Sequence, residues 1–156
     1  MPYLKYMSAI RIHLMVIPTS IMFAVSPVAQ ASPPMIRLKA GVHRVAAEVA
    51  ATVKSRDRGL MKRRHLPADS GMLFVFPEVH RHCMWMQNTT IPLSVAFIED
   101  NGTIVNIADM QPNTETNYCA DRPVHYVLEM NKGWFGEKGL GPGDQISGLR
   151  RAPPGK

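Results

Sequence analysis

The densest run of side chains able to do chemistry is His80-Arg81-His82-Cys83-Met84-Trp85-Met86. In an extended chain, side chains alternate, so His80, His82, Met84 and Met86 point to one side. Imidazole and thioether are copper ligands, and imidazole also suits zinc. Same-face neighbours lie about 7 Å apart along a strand, so two adjacent ones can chelate an ion but four cannot share it. The plainer alternative is a buried methionine pair beside two surface histidines. Downstream, Glu129 stands between Leu128 and Met130 and shares a strand face with His125 and Val127. Burying a carboxylate unpaired is expensive, so a partner is expected there. The alternatives are a structural, paired carboxylate or a ligand-facing acid whose pKa is raised by desolvation.

Asn88-Thr89-Thr90 follows the Trp-Met pair. Its amide and hydroxyls suit a turn in which side chains satisfy nearby backbone groups. The same triplet fits an N-glycosylation acceptor, which carries meaning only in a cell that glycosylates. No glycine-rich phosphate loop, G-x-S-x-G elbow, H-E-x-x-H or C-x-x-C is present. The catalytic classes that depend on those motifs are therefore unsupported. Cys83 and Cys119 are the two cysteines. In an oxidising compartment an isolated pair reads first as a disulfide. Closing that loop stabilises a fold by about 4 kcal/mol on the chain-entropy view. Cys83 acting as a nucleophile with His82 or His125 as base is the less favoured alternative.

These groups sit behind a leader-like start. Residues 1–13 carry Lys5 and Arg11 and no acid, an apolar stretch runs from Leu14 to Val28, and Ala29-Gln30-Ala31 gives an A-x-A site. That order reads as a signal peptide over residues 1–31, cleaved after Ala31, which places the protein in the periplasm or outside the cell. Pro18 and Pro27 interrupt the apolar stretch, and it is short for a bilayer span, so no transmembrane segment is expected after cleavage. No cysteine follows the cleavage site, so lipid modification is not indicated.

The chain has 156 residues, 46% hydrophobic and 19% charged, a globular composition. The formal charge is +6, and losing Lys5 and Arg11 with the leader leaves +4, which does not argue for nucleic acid. Arg56, Arg58, Lys62, Arg63 and Arg64 form the densest basic run, either a solvated helix face or a contact for an anionic headgroup or polymer.

The elements that must position the candidate groups are mostly short strands. Arg37–Ala40 and His43–Val53 read as two of them, the second from its alternation of Val45, Ala47, Val49 and Ala51. Ser55–Arg64 reads as one short helix with Ser55 as its cap. Met72–Phe76 reads as a strand buried on both faces, and Arg81–Gln87 as another. Pro92 starts a strand in which Leu93, Val95 and Phe97 share a face. Asn101-Gly102 predicts a type I′ hairpin returning through Ile104–Met110. Pro112–Asp121 reads as a loop, His125–Met130 as a strand, Trp134–Leu140 as a helical turn and Asp144–Leu149 as a closing strand. The expected architecture is one mostly β domain over 32–149, a sandwich or barrel with one or two short helices, followed by a disordered tail over 150–156.

Arg58-Gly59-Leu60-Met61, Gly71-Met72-Leu73-Phe74-Val75-Phe76, Trp85-Met86-Gln87-Asn88-Thr89, Ile91-Pro92-Leu93 and Ala96-Phe97-Ile98 follow one another in order. Asp100-Asn101-Gly102, Ile104-Val105, Met110-Gln111-Pro112, Val127-Leu128-Glu129, Gly133-Trp134 and Gly143-Asp144 continue the series. Together, over about residues 45–146, they resemble the domain-of-unknown-function 192 family. The resemblance implies a small, mostly β protein of a kind often exported by bacteria, and it brings no established biochemical activity. It points to Trp85, Met86, Asn88, Thr89 and Glu129 as the residues that would form a shared ligand-binding site. Two positions depart from the pattern. Ser94 stands where members usually carry Asp after Pro-Leu, and Met84 where an aromatic commonly precedes Trp-Met.

The reading favoured is an exported, non-catalytic binding module for a small ligand or an envelope protein. No metal site and no cofactor are assigned. The rivals are an enzyme using Glu129 as acid or base and a metal-handling protein using the His80–Met86 strand. Burial separates the first two: an enzyme needs Glu129 in an open cleft with a second polar group in reach, a structural role a closed and paired one.

Overall fold

Val45, Ala47 and Val49 alternate with smaller or polar neighbours, and that period of two sends them to one side of a strand, His43–Ala50, where all three are buried. The computed structural model describes residues 33–156, so the expected leader and its cleavage site lie outside the described residues. The elements in order are β1 (Met35–Ala40), β2 (His43–Ala50), α1 (Val53–Arg58), β3 (Ser70–His80), β4 (Cys83–Met84), β5 (Leu93–Ile98), β6 (Ile104–Met110), β7 (Tyr118–Cys119), β8 (Val124–Asn131), α2 (Trp134–Glu137) and β9 (Ile146–Ser147). A 3-10 turn, Leu149–Arg151, follows.

Seven strands form one sheet in the order β6-β5-β8-β3-β2-β1-β9, and β4 pairs with β7 apart from it. β2 and β3 are parallel while their neighbours pair antiparallel. A parallel pair needs a crossover, and residues 51–69 with α1 supply it. The sheet curls until its two edges meet at one end. The Ile104 amide donates to the Asp144 carbonyl (2.9 Å), and the Gly143 and Ile146 amides donate to the Ile104 and Gly102 carbonyls (2.8 Å each). The result is a half-barrel, the barrel-like of the two expected β architectures.

The curl gives each strand an inner and an outer face. Leu38, Val49, Leu73, Ile98 and Leu128 fill the inside, closed by Trp134 and Phe135 of α2. Met72, Phe74, Val95, Phe97 and Val127 point outward, yet they are also buried, because Leu60, Leu66, Met86 and Ile91 of the connecting segments cover them. Two-sided burial explains the continuous apolar runs of β3 and β5. Each such side chain contributes about 1.5–3 kcal/mol relative to an exposed one.

Several expected elements come out differently, each for a local reason. The helix ends at Arg58, because Gly59 (φ 45°) turns the chain out of it. Its N-cap is Thr52, whose hydroxyl accepts the Ser55 amide, while the Ser55 hydroxyl answers the Thr52 amide: a capping box one turn ahead of the expected cap. The hairpin after β5 exists, but it is not type I′. Asn101 keeps a negative φ, Gly102 alone is left-handed (φ 92°), and Glu99 accepts the Gly102 amide while donating to the Thr103 carbonyl. That is a type I turn closed by a glycine bulge. The expected strand Arg81–Gln87 shrinks to Cys83–Met84, and the closing strand to Ile146–Ser147.

Residues 150–156, expected from composition as a disordered tail, make specific contacts with the body of the domain. The Lys156 amide donates to the Ala51 carbonyl (2.7 Å), and Arg56 donates to the Lys156 carbonyl (2.8 Å). The Gly155 backbone lies against Phe76 and Pro77 so closely that a Cβ would collide with them. Proline-rich composition suggested a free end, but these backbone groups find partners on the sheet. Arg56, read as part of a basic face, is consumed by this work and also donates to Ala51 and Val75 carbonyls.

Candidate functional site

Strand pairing lines up Glu48, Met72, Glu129 and Val95 across β2, β3, β8 and β5, so Glu129 lies in the middle of the outer face with Met72 and Val95 as neighbours. The side chain of Met86 packs in the same apolar cluster as those two neighbours. Glu129 is only 3% exposed, and it makes no side-chain hydrogen bond among the described residues. Burial alone pushes its carboxyl up to about 8, so at neutral pH it is protonated and uncharged. The expectation of a partnered carboxylate is thus corrected: the cost of buried charge is avoided by holding a proton. Glu48, two strands away, is treated oppositely: it forms an ion pair with Arg63.

Above this face runs the loop 86–90. Three non-glycine residues are left-handed among the described residues: Lys62 (φ 60°), Asn88 (φ 57°) and Asn113 (φ 57°). They converge. The Lys62 amide donates to the Asn88 carbonyl (2.9 Å), and the Asn113 amide to the Thr89 carbonyl (3.0 Å). The Met86 amide reaches the Thr114 carbonyl (3.1 Å), and the Thr90 hydroxyl the Arg63 carbonyl (3.1 Å). Left-handed backbone costs about 1–2 kcal/mol at a residue with a Cβ, less for Asn. Such strain persists where surrounding bonds impose it, and it concentrates at working sites.

The five expected site residues therefore separate into two layers. Met86, Thr89 and Glu129 are buried, and Trp85 and Asn88 are exposed. Trp85 is 47% exposed, an indole presented to solvent between two buried methionines. Its segment is held by β4–β7, where Cys83 faces Cys119 with the sulfurs at disulfide distance (2.04 Å), and buried Met84 faces Tyr118.

The His-Met stretch does not form one ligand face. Met84 and Met86 are buried, while His80 is exposed and His82 stacks on Phe76 at 3.6 Å between ring centroids. Burial pushes the His82 imidazole down, against the opposing effect of its bond to the Glu78 carbonyl. No group of three His, Cys, Asp or Glu side chains able to hold a metal occurs among the described residues. For the enzyme reading, Glu129 is closed rather than cleft-lining, and no second polar group binds it.

Ser94, where the family pattern has Asp, is buried and accepts the Gly133 amide (2.8 Å) while donating to Asp109 directly across on β6. A carboxylate thus reaches this point from the neighbouring strand. Sequence reading missed Lys62, Arg63, Asn113 and Thr114 as parts of the site. The signals were Gly59, which ends the helix before Lys62, and Pro112-Asn113, a turn pair.

No curated protein matches the chain. A Sinorhizobium meliloti protein of known crystal structure, provisionally described as a transcription regulator, is 37% identical, with a TM-score of 0.71 over 77% of this chain and 98% of that one. A protein of unknown function from Novosphingobium aromaticivorans DSM 12444 is 32% identical, with a TM-score of 0.70 over 80% of this chain and 91% of that one. The family model described as "Uncharacterized ACR" matches residues 35–148. On that match, across the whole half-barrel, the chain belongs to the DUF192 family.

Proposed function

We propose that this protein is an exported, non-catalytic binding module whose recognition surface is Trp85 together with the loop 86–90. The observation that carries the reading is the convergence of left-handed Lys62 and Asn113 on the carbonyls of Asn88 and Thr89. A loop held rigid at that cost, beside a solvent-facing indole, is preorganised, and preorganisation reduces the entropy lost on binding. Tryptophan is the kind of anchor that dominates binding surfaces. Glu129 lies below as a buried, neutral acid that keeps charge out of the apolar layer under the loop. Met86 and Thr89 support the loop from inside. The ligand is a small molecule or a segment of an envelope protein.

Export is supported by the leader-like order of residues 1–31 and by a cysteine pair at disulfide distance. No helix among the described residues is long and apolar enough to cross a membrane.

Native mass spectrometry of the protein released from the periplasm tests both parts. The expected spectrum shows a chain beginning at Ser32 with a non-covalent adduct, and the adduct is absent from Trp85→Ala. A bare chain in both proteins removes the binding reading, and a chain beginning at Met1 removes cleavage.

A further inference from the structure

The outer face is not covered along its whole width. Over β3, β8, β5 and the Glu48–Ala50 end of β2 the connecting segments cover it, but over β1 and the Arg44 end of β2 they stop. Arg37, Lys39 and Arg44 are all exposed there. Arg37 lies opposite Ala46, and Lys39 opposite both Arg44 and Ser147, so the three cations share one face. The turn 67–70 and the segment 147–151 wall this face into a groove of about 760 Å³, to which Arg151 also contributes. The Arg151 guanidinium lies 3.5 Å from the Arg37 carbonyl.

The charge balance of this groove is one-sided. Asp69 is the single acid lining it, and it is already engaged: it accepts the Trp134 indole N–H at 3.0 Å and lies 3.9 Å from the Lys138 ammonium. None of Arg37, Lys39, Arg44 or Arg151 forms an ion pair with a described residue. Residues 1–32 contain no Asp or Glu, so no carboxylate from that segment can neutralise them either. Ser70 and Ser147 add hydroxyl groups to the lining.

We infer that this groove is a second binding site, for the phosphate group of a phosphorylated ligand. Three guanidinium groups offer planar paired donors, the geometry that suits phosphate oxygens, and one ammonium adds charge. The volume lies in the range of small-molecule pockets. The site is distinct from the Trp85 loop, since none of the groove residues belongs to that loop, and it stands whether or not the loop binds anything.

Calorimetric titration of the whole exported protein with inorganic pyrophosphate at low salt tests the inference, alongside sedimentation with phosphatidylglycerol vesicles and with neutral phosphatidylcholine vesicles. Binding to pyrophosphate is expected to weaken on the order of tenfold for each arginine removed in Arg37→Gln and Arg37→Gln/Arg44→Gln. Lys39→Glu, a charge reversal at an exposed position, should weaken it further, and all variants should keep the wild-type melting transition. Binding confined to phosphatidylglycerol vesicles and lost in the same variants supports the site and identifies a lipid headgroup as its source. Absence of binding to both phosphate probes overturns the inference, as does equal binding by the double variant. Affinity for a DNA duplex without affinity for either phosphate probe overturns it as well.

Discussion

Lys62 and Asn88, far apart in the chain and both left-handed, are joined by one backbone hydrogen bond of 2.9 Å from the Lys62 amide to the Asn88 carbonyl. Asparagine tolerates this backbone far better than alanine. Asn88→Ala should therefore lower stability by about 1 kcal/mol, whereas Asn88→Gly should change it by less. Denaturant unfolding of the two variants checks the ordering. If Ala is tolerated as well as Gly, the loop is not held in the strained form that the binding reading requires.

Glu129 sets a pH dependence whose sign is opposite to that of a salt-bridged acid. Its folded pKa, about 8, lies above its unfolded value of 4.5. Between these, the unfolded chain has released its proton and the native protein retains it, so stability falls as pH rises through this window. The stabilisation is complete below the unfolded value and lost by about pH 8, with an upper limit of about 5 kcal/mol from this group. Glu129→Gln, which is neutral throughout, should flatten that slope and be more stable than wild type at pH 8. Thermal melts of both proteins from pH 5 to pH 8 measure the difference, and parallel curves would refute the buried neutral acid.

Cys83 and Cys119 are separated by 36 residues, a span that contains β5 and β6. Reduction, or Cys83→Ala with Cys119→Ala, should lower stability by up to about 4 kcal/mol. Thiol titration of the unreduced, denatured protein should find no free thiol, and two free thiols would contradict the pairing.

Trp85 is exposed, so its removal should cost little in stability. Trp85→Ala is expected to change the unfolding free energy by about 0.5 kcal/mol or less. Loss of the bound adduct without loss of stability assigns the indole to recognition. A large fall in stability would instead assign it to packing.

Gly71 shows how tightly the strands beside Glu129 approach. A Cβ there would strike the Glu129 carbonyl and the Met130 sulfur. Gly71→Ala should break the β3–β8 pairing at its Gly71–Met130 rung and cost about 2 kcal/mol or more. Chemical denaturation measures it, and a neutral result would show that the two strands can separate to admit the methyl group.

Several features were readable before any fold was known. Val45, Ala47 and Val49 alternate as a strand must, Met72–Phe76 is apolar without a break, and Asn101-Gly102 marks a turn; each is a local property of the chain. The prominence of Glu129 was also legible, because a carboxylate between Leu128 and Met130 is anomalous wherever it lies. Its unpaired, protonated state was not. That depends on Leu60, Leu66, Met86 and Ile91 closing over the sheet, residues distant in sequence.

The sequence by itself determined a mostly β chain, its strand periods, its family pattern and a cysteine pair fit for bonding. These follow from side-chain order along the backbone, which a single chain displays. Tertiary structure alone decided that the sheet curls into a half-barrel and that the tail packs. It alone gathered Lys62, Asn88 and Asn113 at one loop and left Arg37, Lys39 and Arg44 uncovered on one face. Those outcomes depend on which distant segments meet. Burial, backbone strain and unbalanced charge are properties of such meetings and have no signature in local order.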